Sequence, residues 1–130
     1  MGWGATAMAK ILIVEDDANN RDLIARIVEL MGHEPILAVD GAQGVALARS
    51  AKPDLIIMDM GLPVLNGWQA THRIKSQPGT SHIPVLALTA YALNEDRLRS
   101  LAAGCDDFET KPIDFGRFRE KVQALLSRTA

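Results

Sequence analysis

Cysteine is almost missing from this chain: among 130 residues there is one, Cys105. A single thiol excludes an intrachain disulfide framework and a cysteine-rich zinc site. Long apolar runs are missing too, and none approaches the about 20 residues that a membrane-spanning helix needs. The first residues have neither the basic region nor the long apolar stretch of a secretory signal, so the expected location is cytoplasmic. Positive charge is not in excess. The net charge is −2, which leaves no global basic field to attract nucleic acid or an anionic membrane. Internal repeats, low-complexity tracts and linkers are also absent. What remains has the size of one domain and an ordinary globular composition, 48% apolar and 23% charged, enough to bury a core without staples.

The chain is organised around residues 54–63, DLIIMDMGLP. Leu55, Ile56, Ile57 and Met58 form a short, continuous apolar run, the pattern of a strand buried on both faces. A carboxylate, Asp59, stands where the run ends, and Gly61 and Pro63 then break regular structure. Three further runs behave alike. Lys10 to Val14 ends in Glu15, Asp16 and Asp17; Pro84 to Leu88 ends in Thr89 and Ala90; the more polar Asp107 to Thr110, with the character of an edge strand, ends in Lys111 and Pro112. A fifth strand is expected at Pro35 to Val39.

Helices are expected between them. Leu23, Ile24, Ile27, Val28 and Met31 recur with helical spacing after the candidate caps Asn19 and Asn20. Val45, Leu47 and Ala48 follow Asp40. A helix from about Gln69 to Lys75 carries Ile74, with Trp68 as a second core candidate. Another begins at a capping Asn94, with Leu98, Leu101 and Ala102 on one side. The last follows Asp114, with a stripe of Phe118, Val122, Leu125 and Leu126. Five strands alternating with five helices imply an α/β fold, a parallel sheet covered on both faces with right-handed crossovers. Residues 1–9 are expected to form a flexible extension, with Met8 a plausible natural start, and residues 10–128 a single domain with no output domain after it.

Parallel strands present their carboxyl ends at one edge, where open α/β sheets bind ligands. Glu15, Asp16 and Asp59 would repel one another there unless a cation sits among them. A few hard oxygen ligands with room for water suit Mg²⁺, or Mn²⁺. Lys111 and Thr89 at the same edge could hold an anion against that metal.

In combination, ILIVEDD, MDMGLPVLNG, LTA and KP, in order and at successive strand ends, resemble the receiver domain of two-component response regulators, the CheY-like, flavodoxin-like fold. The resemblance runs from Lys10 to Leu126 and implies strand order 2-1-3-4-5. It implies Asp59 as the phosphorylated aspartate. Asp16 becomes a direct Mg²⁺ ligand and Glu15 one acting through water, with the backbone carbonyl of Gly61 as a further ligand. Thr89 is the implied switch hydroxyl, with small Ala90 leaving room beside it. Lys111, before a cis peptide to Pro112, pairs with the phosphoryl group. Phe108 is the aromatic whose rotamer follows the switch; it lacks a hydroxyl to mark its inward and outward states. Gly61 and Tyr91 are implied to influence phosphoryl lifetime.

The function so implied is that of a single-domain response regulator. A sensor histidine kinase or histidine phosphotransfer protein donates the phosphoryl group. A downstream effector protein reads the face built from the fourth helix, fifth strand and fifth helix. The domain would catalyse only its own phosphorylation and dephosphorylation, would not bind nucleic acid or membrane, and would be a monomer or a phosphorylation-dependent dimer. The alternative is a phosphate shuttle or sink in a phosphorelay.

Other residues carry plainer readings. Asp17 is expected to start a helix, and His33, His72 and His82 to lie on the surface. Cys105 is expected to be a small buried residue. Arg117, Arg119 and Lys121 read as a solvated helix face. Gly41 and Gly44 lack the full dinucleotide-binding pattern. Gly61 stands where a haloacid-dehalogenase-type phosphatase would need a second acid.

Overall fold

Alternating side chains of the central strands are divided between two cores, one on each face of a parallel sheet. The computed structural model describes residues 8–90 and 94–128; the expectations for residues 1–7 and for Tyr91 fall outside them. In chain order the elements are β1 (Lys10–Val14), α1 (Ala18–Leu30), β2 (Glu34–Ala38), α2 (Gly41–Ser50) and β3 (Leu55–Asp59). They continue with α3 (Gly67–Lys75), β4 (Val85–Thr89), α4 (Asn94–Ala103), β5 (Asp107–Thr110) and α5 (Phe115–Ser127). The strands pair in parallel in the order β2-β1-β3-β4-β5.

Ile11, Ile13, Leu55, Ile57, Leu86 and Leu88 pack on one side of the sheet with Ile24 and Val28 of α1 and Phe118 and Val122 of α5. Leu12, Val14, Ile56, Met58, Val85 and Ala87 pack on the other with Ala48 of α2 and Ala70 and Ile74 of α3. This division is why β3 and β4 are buried at every position and read as unbroken apolar runs.

Local chemistry sets the helix starts. The cap of α1 is Asp17, whose carboxylate accepts from the Asn20 amide at 2.9 Å; Asn19 and Asn20, the expected caps, lie inside the helix. Asp40 and Asp114 cap α2 and α5 in the same way. α3 begins at Gly67, earlier than its apolar spacing suggests, because Asn66 and Gln69 form a reciprocal capping box.

Further expectations are corrected. On α4, Leu98 and Leu101 are 65% and 55% exposed, and Ala102 is exposed as well. The residue turned inward is Ser100, whose hydroxyl accepts from Trp68 Nε1 at 3.2 Å. A satisfied hydroxyl can occupy a buried position that apolar spacing assigns to leucine. His33 is not on the surface: it is 8% exposed, and its Nδ1 accepts from the Ala9 amide at 3.1 Å. Ala9, expected to close the flexible extension, is itself buried, and its carbonyl accepts from the Glu34 amide. His72 and His82 are exposed, and Cys105 is buried.

Candidate functional site

Asp59 and Thr89 are the last residues of β3 and β4, Glu15 follows β1, and Lys111 follows β5. The parallel arrangement therefore carries all four to one edge. Backbone bonds extend the ladders just past the strands: the Glu15 amide donates to the Ala38 carbonyl at 3.1 Å, Met60 to Leu88 at 2.8 Å and Lys111 to Thr89 at 2.8 Å. Gly67, at the start of α3, lies so close to the end of β3 that a Cβ there would collide with the Asp59 carbonyl oxygen and Met60. Only glycine lets α3 approach this closely.

The side chains meet as the sequence suggests. Glu15, Asp16 and Asp59 offer carboxylate oxygens that all lie within 4.8 Å of one another. Lys111 Nζ donates to Glu15 Oε1 at 3.0 Å and to Asp59 Oδ1 at 3.1 Å. The Gly61 amide donates to the same Asp59 oxygen at 3.1 Å. Glu15, Asp59 and Thr89 are buried, and Asp16 is exposed. The Lys111–Pro112 peptide is cis. Against Glu15 and Lys111 opens a cleft of about 350 Å³, whose walls also include Asn20, Leu23, Pro112 and Ile113.

Electrostatics there is unfavourable to full ionisation. Burial, then the hydrogen bond with Asp59, pushes the Glu15 carboxyl up to about 7. Burial alone would lower the Lys111 ammonium, but its bonds to Glu15 and the charge of Asp59 outweigh that and hold it above the usual lysine value. No donor reaches the buried Glu15 Oε2. A carboxylate with one orphaned oxygen, grouped with two further acids of which one is exposed, fits a small oxygen-seeking divalent cation that keeps part of its water.

Two cations approach the ring of Phe108, on β5. Arg97 of α4 sits 4.6 Å from the ring centroid and Lys121 of α5 sits 5.1 Å from it. Lys121 also donates to the Phe108 carbonyl at 2.6 Å and to Glu109 at 2.9 Å. Glu109 is buried and takes two further bonds from Arg117, at 3.1 and 3.2 Å. Arg117 and Lys121 thus anchor α5 to β5 through a buried carboxylate; Arg117 and Arg119 are exposed, as expected of a solvated face, while Lys121 is half-buried. Arg99 stacks on Trp68, 3.8 Å from its ring centroid. These contacts join residues distant in sequence and have no local signature. A charged residue inside a short edge strand, Glu109, was the one hint that α5 would supply a partner.

Comparisons with known proteins identify relatives of the chain. Residues 11–123 match the family model for the response regulator receiver domain. The chain is 40% identical over 122 residues to the DNA-binding dual master transcriptional regulator RpaA of Synechocystis sp., covering 94% of this chain but 51% of RpaA. It therefore spans about half the length of that relative. Against the polar-differentiation response regulator DivK of Brucella anthropi it is 38% identical over 116 residues, covering 89% of this chain and 94% of DivK. The crystal structure of the receiver domain of sensor histidine kinase PA1611 from Pseudomonas aeruginosa PAO1, with a magnesium ion coordinated in its active-site cleft, superposes with a TM-score of 0.86. That pair is 36% identical, and the match covers 93% of this chain and 99% of the other.

Proposed function

Because this chain belongs to the family of response regulator receiver domains, we propose that Asp59 is its phosphoacceptor in two-component phosphorelay signalling. A carboxylate oxygen of Asp59 attacks the phosphorus of a phosphohistidine on a sensor kinase or phosphotransfer protein. The O–P bond forms as the P–N bond breaks, and the bonding pair returns to the imidazole nitrogen. Lys111, already 3.1 Å from Asp59 Oδ1, follows the negative charge onto the phosphoryl oxygens. Glu15, Asp16 and Asp59, with the Gly61 carbonyl, would hold Mg²⁺, which supplies charge neutralisation to a phosphoryl group in transfer. The cleft beside Lys111, with Leu23, Pro112 and Ile113 in its walls, is where the donor's imidazole would approach.

An acyl phosphate brings about −1.5 to −2 charges to this edge if it ionises as other phosphoresidues do. Thr89 turns its hydroxyl toward that charge, and Phe108 moves into the space it leaves. The two cations on the Phe108 ring couple that motion to α4 and α5, where exposed Leu98 and Leu101 offer an effector apolar contact. The domain turns over no separate substrate, and residues 10–128 act as one receiver unit. No helix among the described residues is long and apolar enough to cross a membrane.

The observation that carries this reading is Lys111 bridging Glu15 and Asp59 beside the orphaned Glu15 oxygen. Its test is labelling by acetyl phosphate with Mg²⁺, followed by intact-protein mass spectrometry. The parent takes up one phosphoryl group and Asp59→Asn none. Labelling of the variant to the same stoichiometry overturns the assignment.

A further inference from the structure

Arg21 stands in the first turn of α1, the end of a helix where a cation opposes the backbone dipole. Its side chain turns back over the β1–α1 junction. Nη1 donates to the Glu15 carbonyl at 3.0 Å and makes a weaker contact, 3.5 Å, with the Asp16 carbonyl. The backbone of Glu15 is therefore held at both of its peptides, its amide by the Ala38 carbonyl and its carbonyl by Arg21. Asp16 lies beyond the end of β1, where the sheet ladder no longer fixes the chain. The guanidinium spans the two consecutive carbonyls whose residues carry two of the three clustered carboxylates.

We propose that Arg21 is a positioning residue for the divalent cation site: it fixes the two peptides that aim the Glu15 and Asp16 carboxylates. The role rests on the reading of Glu15, Asp16 and Asp59 as the cation's ligands. Arg21 acts through backbone groups and touches neither the cation nor the phosphoryl group. Its charge, taken alone, has the opposite sign of effect, since a cation near the site repels a second cation. Positioning and charge therefore predict different outcomes, and substitutions separate them.

The experiment is calorimetric titration of the whole chain with Mg²⁺ alone, and Mn²⁺ binding followed by electron paramagnetic resonance, without phosphodonor. Arg21→Met removes charge and grip; Arg21→Lys keeps the charge but loses the planar fork. Positioning predicts weaker binding in both, on the order of tenfold for Arg21→Met, as for other groups that orient metal ligands. The Mg²⁺ concentration for half-maximal acetyl phosphate labelling then rises in parallel, while the rate at saturating Mg²⁺ changes less. Unchanged or tighter binding by Arg21→Met, with Arg21→Lys at the parental value, overturns the proposal in favour of a charge effect. Thermal melts identify an unfolded variant; if Arg21→Met does not fold, Arg21→Lys decides, and parental affinity there overturns the proposal. Asp16→Asn is the control for the underlying reading. If it too leaves Mg²⁺ binding intact, the ligand assignment has failed. If it loses binding while both Arg21 variants keep it, only the role of Arg21 has failed.

Discussion

Replacing Glu15 by glutamine should make the metal-free protein more stable, and only at neutral and alkaline pH. Glu15 is 1% exposed and titrates near 7 in the folded chain, against an ordinary value of 4.5, chiefly because burial disfavours its charge. Below about pH 4 the carboxyl is protonated folded or unfolded, and the group is neutral toward stability. As the pH rises from 4.5 to 7 the unfolded chain releases its proton while the folded chain holds it, so folding grows steadily less favourable. Above that range both states are ionised, and the folded state carries the full penalty, about 3 kcal/mol. A glutamine there has the same shape and an oxygen in place to accept from Lys111, but it has no proton to lose. The stability gap between Glu15→Gln and the parent should therefore widen by about 2 kcal/mol from about pH 5 to about pH 8. Urea unfolding with a chelator, followed by circular dichroism at the two pH values, measures it. Comparing gaps cancels the shared groups that do not touch Glu15, and leaves Asp59 and Lys111 as part of what the gap reads. Saturating Mg²⁺ at the higher pH should narrow the gap, because the cation relieves the same repulsion. A gap that stays the same within about 0.5 kcal/mol, near the spread of additive surface effects, would mean that Glu15 is not held against its charge.

Val64 has φ 64° and its side chain is fully exposed; a β-branched residue in that backbone region is strained. Val64→Gly should raise stability by about 1 kcal/mol, read as a higher urea midpoint with unchanged slope; a lower midpoint would count against the strain. Gly67→Ala should destabilise by more than about 2 kcal/mol, because the new methyl meets the Asp59 carbonyl and Met60. It should also slow acetyl phosphate labelling; parental stability would show that α3 can shift at little cost. Burial holds His33 below its ordinary value, outweighing the nearby Asp54 charge. Its stabilising effect is therefore present above about pH 6.5 and is lost as the pH falls further. The parent should lose more stability than His33→Gln between about pH 7.5 and about pH 5.5 in parallel melts, and equal losses would refute this.

The convergence at the candidate site was legible in the sequence because most of its groups stand at the ends of apolar runs with the pattern of buried strands. Asp59 follows Leu55 to Met58, Glu15 follows Ile11 to Val14, and Thr89 follows Val85 to Leu88. Parallel pairing then brings them together without any further information. The errors fall where tertiary contacts override local pattern. Leu98 and Leu101 have the spacing of a buried stripe, but the indole of Trp68 offers a donor to Ser100, and α4 turns that side inward. His33 is buried because the Ala9 amide, otherwise unpaired before β1, needs an acceptor that no neighbouring strand supplies. Asp17, Asn19 and Asn20 are all good capping residues, and only the path of the β1–α1 turn decides among them in favour of Asp17.

The bond from Ala9 to His33 fastens the polypeptide at the amino edge of the sheet, and α5 brings the other end back there, with Arg128 reaching Asp106 just ahead of β5. A strand's length, roughly 16 Å, separates that edge from Asp59. Ala9 and Arg128, near the two limits of the described residues, thus stand across the sheet from the acids.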